Sequence, residues 1–279
     1  MQIFALIMNS VVQDAPLRLA PIERALAEAG WVTPCRVEVI AETGSTNEDL
    51  IACARIGRPA TPIVRAADFQ HHGRGRQGRA WQAAPRQAML FSVACPLAEL
   101  PEKLPSITLS CAVVIAECLA AHGATVQLKW PNDIRVGGRK LAGILSELAV
   151  DASGRYTLIV GVGLNLRVDR AALAIAQPVA ALDELLPPNQ LDRCTWIGRI
   201  AAAILGAAQQ FQSEGFAPFR PRFNGLLEAR GQTVEIIEGD RSVASGRLVE
   251  VDDDGRLMLE TGGILLGINV CDVSMRTSR

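Results

Sequence analysis

Residues 73–79, Gly73-Arg74-Gly75-Arg76-Gln77-Gly78-Arg79, set three arginines and three glycines into one short segment. A guanidinium is permanently charged, and its planar fork of donors matches a carboxylate or a phosphate. The glycines relieve the steric limits that a Cβ imposes, so such a segment can fold closely around a ligand. A strand-like stretch at 62–67 precedes it and Trp81 follows it. This places the arginines at a strand end, where ligand loops sit. An anion-binding loop is the first reading and a solvated loop the second, because Arg-Gly tracts also occur in nucleic-acid binders. Composition favours the first. The 28 Lys and Arg against 29 Asp and Glu leave a formal charge of -1, which is no basic footprint. The charge is local and suits a small anionic ligand.

Ser45, Thr46 and Asn47 form a second polar group. Ser45 with Glu48 three residues on reads as a capping box opening a helix that runs to Ile56 and stops at Gly57. Short polar side chains and free N–H groups at a helix start either cap it or bind a polar ligand, and spacing alone favours capping. Gly161 and Gly163 interrupt a strand on one face, a sign that a ligand or another backbone approaches closely. The seven cysteines are scattered, with no Cys-x-x-Cys pair, and histidine occurs three times. That set predicts buried reduced thiols of a cytosolic protein rather than a zinc site.

These residues need a scaffold. A chain of 279 residues, 49% hydrophobic and 20% charged, fits one large domain or a large and a small one with a full core. The apolar residues 1–12 lack a basic region and read as a strand, not a signal peptide. No window suits a membrane span, so a soluble cytoplasmic protein with no membrane partner is expected. Helices are expected at 21–30, with Ile22, Ala25, Leu26 and Ala29 on one face, and at 105–123, with Leu109, Val113, Ala116 and Ala120 inward. Cys111 and Cys118 then belong to the core. Strands are expected at 37–40, 88–96, 126–130, 134–136, 140–150 and 156–166, with Gly137-Gly138 as a hairpin turn. Four antiparallel elements in a row predict a mixed or antiparallel sheet and exclude a Rossmann unit. Helices at 192–215 and 217–229 follow, the second interrupted by Pro218 and Pro221. Beyond Gly231, short strands near 233–237, 245–251, 256–259 and 264–269 predict a small β-barrel of roughly fifty residues.

Five motifs stand in order along this scaffold: Gly44-Ser45-Thr46-Asn47; the arginine loop through Ala80-Trp81; Lys129-Trp130-Pro131-Asn132-Asp133; Arg139-Lys140-Leu141-Ala142-Gly143-Ile144-Leu145; and Gly161-Val162-Gly163-Leu164-Asn165. Together they resemble biotin–protein ligase across residues 42–276. Each motif alone is weak, but the ordered set is specific. The resemblance implies an α+β fold of the class II synthetase-like kind. A central mixed or antiparallel sheet flanked by helices would occupy a catalytic biotin/ATP-binding domain, 1–229. An SH3-like barrel would occupy 230–279.

The implied chemistry is ATP-dependent and AMP-forming. Biotin carboxylate attacks the α-phosphate of ATP, and a lysine of a biotin carboxyl carrier protein then takes the biotinyl group. By resemblance, Arg76, Lys140 and Asp133 are catalytic. Ser45, Thr46, Asn47, Gln70, Arg74, Gly75, Arg76 and Lys140 bind biotin. Arg76, Arg79, Lys129, Asn132, Asn165 and Arg276 hold ATP or the adenylate. Mg²⁺ would arrive with ATP, and Asp133 is left either to hold the metal or to act as a base. Without the motif, Lys140 reads as a strand-surface lysine, and Trp81 and Trp130 read as core residues nearly as well as ligand contacts.

The sequence departs from the family at Gln77, where a further basic residue is common, and at Gln82-Ala83-Ala84-Pro85. His71-His72 reads as surface variation. About forty residues precede the first motif. A winged helix-turn-helix needs roughly sixty, so a monofunctional enzyme that reads no DNA is expected. The family's habit implies that edge strands of the central sheet can pair two copies. Two alternatives remain at this stage. One is a lipoate–protein ligase of the same superfamily; the other is a non-catalytic biotin- or RNA-binding protein.

Overall fold

Strand alternation organises the chain in a computed structural model that describes residues 15–168, 177–239, 241–269 and 273–277. The strand expected at 1–12 lies outside the described residues. Among the described residues seven strands form the central sheet: β1 (Arg36–Thr43), β2 (Ile63–Gln70), β3 (Ala88–Pro96), β4 (Gln127–Lys129), β5 (Asp133–Val136), β6 (Arg139–Val150) and β7 (Tyr156–Asn165). Their order is β1-β2-β3-β7-β6-β5-β4. Only β1 and β2 run parallel, joined through helix α2 (Thr46–Ile56); the other neighbours are antiparallel. The sheet is mixed, as expected.

Alternation gives the sheet two different faces. On β3, Met89, Phe91, Val93 and Cys95 enter the main core, while Ala94 joins a smaller one with Leu50, Ala54, Ile63, Ala149 and Ile159 under α2. Helices α1 (Leu19–Glu28), α3 (Ile107–Ala120) and α4 (Arg193–Glu214) cover the main-core face. Asp192 caps α4, accepting from Thr195 N at 2.8 Å. On the α2 side, β3, β6 and β7 carry Ser92, Glu147, Gly161 and Gly163 where apolar residues would otherwise continue. That interruption is where a pocket opens.

Several expectations are corrected. Ser45 is the N-cap residue of α2 but its side chain makes no capping bond, so the capping box is absent. Glu48 turns instead to Arg74, because a charged guanidinium is a stronger partner for a carboxylate than a neutral N–H. Ala29 and Ala120 are exposed, since α1 and α3 end just before or at these residues. The helix expected at 105–123 begins at Ile107, after a 3₁₀ turn over Leu104–Ser106. The helix expected at 217–229 shrinks to α5 (Arg220–Leu226), with Pro221 in its first turn, where a missing N–H does no harm.

The C-terminal region forms a second sheet of β8 (Thr233–Glu238), β9 (Arg241–Val251), β10 (Leu257–Thr261), β11 (Ile264–Ile268) and β12 (Val273–Thr277), in the order β11-β10-β9-β8-β12. The fifth strand escapes a sequence reading because its short alternating segment has little apolar signal. It is held by pairing with β8 and by buried Met275. Hydrogen bonds and ion pairs fasten this sheet to the rest, Arg220 with Glu250 and Asp253 among them. The Asn224 amide exchanges both bonds with the Val251 backbone, at 2.8 and 2.7 Å, and Trp130 Nε1 donates to Gly255 O at 3.1 Å.

Candidate active site

The β1–α2 turn, the end of β2 and the middle of β3 meet first. Ser45, Thr46 and Asn47 are buried to 2–3% exposure, far too deep for residues that merely cap a surface helix. Thr46 donates from its N–H (2.8 Å) and its hydroxyl (3.0 Å) to Gln70 Oε1. Its hydroxyl also lies 2.6 Å from Ser92 Oγ, which donates to Asn47 Oδ1 at 2.5 Å. Asn47 Nδ2 donates to Leu145 O and to Glu147 Oε2. The result is a polar cradle sunk into an apolar sheet, where each bond is worth more than at the surface.

The arginine loop folds over this cradle as a short hairpin. Trp81 N donates to Gly73 O (2.8 Å) and Gly75 N to Arg79 O (2.7 Å). Gln77 takes the left-handed φ of 58° at the tip, and its Oε1 accepts from Arg79 Nη2 at 2.8 Å. The family departure at Gln77 thus tethers an arginine that a cation there would repel. Arg74 bridges Glu48 (2.9 Å) and Glu147 (3.3 Å). His71 and His72 are exposed, and His71 Nε2 lies 2.9 Å from Glu42.

The two strand glycines line the cavity, and the protein groups that approach them most closely are side chains rather than backbone. A Cβ on Gly163 would stand 2.5 Å from Trp81 Cε2, and one on Gly161 would stand 2.3 Å from Asn47 Oδ1. They make room for two side chains of the pocket wall. Trp81 packs there with its Nε1 buried and without a partner among the described residues, and Lys140 Nζ lies 5.4 Å from its ring centroid.

Opposite the cradle, Lys140 Nζ meets Asp133 Oδ1 at 2.7 Å, with both side chains under 20% exposed. Lys140 is therefore no surface lysine. Burial pushes the Lys129 ammonium below its ordinary pKa, against the pull of Asp133. Asn132 Nδ2 donates to Ile144 O, and Asn165 Nδ2 to Ala180 O and Lys140 O, so both amides also brace the wall. Arg276 arrives from the second sheet.

Together these elements enclose a cavity of about 780 Å³, and every site residue expected from the sequence lines it. Seven lining side chains are Lys or Arg, and Asp133 is the one carboxylate among the described lining residues. Ser92, Glu147 and Arg135 were missed. Ser92 does leave a signal, a lone polar residue within an apolar strand, and Glu147 is the one carboxylate of its strand. Arg135 lines the cavity while paired to Glu228 at 2.9 Å. No cysteine is among the described lining residues, and burial pushes the Cys111 thiol up to about 12 and that of Cys35 to about 11.

Residues 39–165 match the profile of the Biotin/lipoate A/B protein ligase family. Over 258 residues the chain is 33% identical to the biotin–[acetyl-CoA-carboxylase] ligase of Mycobacterium tuberculosis, covering 88% of this chain and 90% of that one. The chain belongs to the biotin protein ligase family. Escherichia coli bifunctional ligase/repressor BirA is 31% identical over 244 residues, 87% of this chain and 74% of its own. A biotin protein ligase from Aquifex aeolicus, solved with biotin and ATP, shares the fold: TM-score 0.71, 24% identity, 87% of this chain and 99% of that one. The stretch matching the ligase family runs from β1 to the end of β7 and so contains the cradle, the arginine loop and the Lys140–Asp133 pair.

Proposed function

We propose that this pocket activates biotin with ATP and passes the biotinyl group to a lysine of a biotin carboxyl carrier protein. The observation that carries this reading is the division of one cavity in a biotin protein ligase chain. Neutral donors and acceptors gather at the buried end, and a large excess of fixed cations gathers at the other. A cyclic urea has two N–H donors and a carbonyl, which suits Thr46, Asn47 and Gln70.

In the first step a biotin carboxylate oxygen bonds to the α-phosphorus, the bond to the β-phosphate oxygen breaks, and pyrophosphate leaves. Two anions must approach and charge grows on phosphorus, so preset cations are the main requirement. Arg76, Arg79 and Lys140 supply them, Lys129, Asn132, Asn165 and Arg276 face the nucleotide, and Arg74 with Gly75 closes the cradle. In the second step a neutral lysine amine attacks the acyl carbon, AMP departs, and the amine gives up a proton. A closed loop keeps water from hydrolysing the anhydride meanwhile.

Mg²⁺ fits this pocket only in company with phosphate. Among the described residues no group of three or more His, Cys, Asp or Glu could hold a metal, and Asp133 offers one carboxylate. Mg²⁺ is commonly held by one or two carboxylates plus substrate phosphates. Asp133 would be its protein ligand, and the ion would neutralise the departing pyrophosphate.

No described helix is long and apolar enough to cross a membrane. A cytoplasmic enzyme acting on a soluble carrier is the reading we adopt. ATP–pyrophosphate exchange with biotin, with lipoate and without an acid tests it. Exchange with biotin alone supports the proposal, exchange with lipoate alone replaces the substrate, and none with either removes the activity.

A further inference from the structure

The hydrogen bonds of the cradle and the ion pairs of the loop share one atom group, the Glu147 carboxylate. Its Oε2 accepts from Asn47 Nδ2 at 2.8 Å, and its Oε1 lies 3.3 Å from Arg74 Nη2. From Asn47 the chain of contacts runs through Ser92 and Thr46 to Gln70, the last residue of β2. Gln70 is where the arginine loop leaves the sheet, and Arg74 lies within that loop. The circuit therefore closes on itself through the loop, crossing α2, β2, β3 and β6.

Two carboxylates hold Arg74, and they are not equal. Glu48 is 51% exposed and sits on a helix end, where an ion pair is worth little. Glu147 is 22% exposed, and its backbone is fixed opposite Ile159 inside the central sheet. A carboxylate on a rigid strand can fix the position of a guanidinium on a loop; the reverse does not hold.

We propose that Glu147 is a positioning residue for the ligase reaction, an inference that rests on the function argued above. It holds Arg74, and with it the segment to Arg79, over the pocket, and the same carboxylate orients Asn47. Loop closure and the shape of the cradle are thereby linked. Loosening Glu147 opens the loop and lets the reactive intermediate escape.

Glu147→Gln keeps an oxygen for Asn47 and removes the charge that holds Arg74, whereas Glu147→Ala removes both. In the ligand-free full-length chain, tryptic cleavage after Arg76 or Arg79 should quicken roughly fivefold in Glu147→Gln, the opening expected on losing about 1 kcal/mol. Cleavage elsewhere should stay at the wild-type rate. With biotin and ATP but no acceptor, the same variant should release more biotinyl-adenylate while keeping a near-normal KM for biotin, and Glu147→Ala should raise that KM as well. Arg74→Gln should match Glu147→Gln in loop cleavage and in adenylate release, and the double variant should be no worse in these two than either single one. If Glu147→Gln folds poorly by thermal unfolding, Arg74→Gln, at an exposed loop position, carries the test. Unchanged loop cleavage, or additive effects in the double variant, overturns the proposal. The proteolysis needs no substrate, so it judges the tether even if wild-type exchange with biotin fails and the ligase reading falls.

Discussion

Lys140 shows what one residue contributes here. Its ammonium is shared between Asp133 and the face of Trp81, inside a pocket already rich in positive charge. Cations kept together against their repulsion need an anionic visitor, and ATP with a carboxylate supplies several charges. We expect Lys140→Ala to slow biotin-dependent pyrophosphate exchange by roughly two to three orders of magnitude, the usual effect of removing a preset electrostatic group. Near-normal exchange would make it an ordinary strand lysine. Asp133→Asn should raise the Mg²⁺ concentration needed for half-maximal exchange; an unchanged Mg²⁺ dependence would remove Asp133 as a metal ligand.

Strand β7 determines the pocket at the next scale. Its even positions, Leu158 to Leu164, pack into the main core, while Gly161 and Gly163 face α2 and the loop. The absent side chains let Asn47 and Trp81 lie flat against the sheet. Gly163→Ala should force the indole outward, because a rigid ring cannot bend away as a flexible chain end can. Overpacking of this kind costs about 1–3 kcal/mol. Thermal unfolding and tryptophan emission would report it, with weakened nucleotide binding. A variant with unchanged emission and unchanged exchange would show that Trp81 has another place to go. Spacing identified these glycines as sites of close approach but could not name what approaches, since the visitors come from other elements.

The molecule as a whole joins two sheets into one working surface. Trp130 reaches back to Gly255 of the β9–β10 turn, and two and three residues further on Asn132 and Asp133 line the pocket. Arg276 enters from β12 on the second sheet. Trp130→Phe leaves Gly255 O without its donor, a loss of about 1–3 kcal/mol for a buried acceptor, and adds the cost of a smaller ring in a fully buried site. We expect a lower Tm and a higher KM for ATP, with the KM for biotin changed less. Equal changes in both KM values would mean that the second sheet supports the pocket only through overall stability.

The sequence by itself determined the residue types, their order and the strand and helix periods, and from these the family, the mixed sheet and the lining residues were legible. Those features are local, because propensity, alternation and motif spacing act over a few residues. The tertiary structure decided which side chains meet. Asn47 and Glu147 bond across 100 positions, and Ser92 reaches Asn47 across 45. Such pairs depend on strand register and on which face a residue takes, and a shift of one residue would reverse both. The same reason hid the diversion of Glu48 from its expected cap to Arg74.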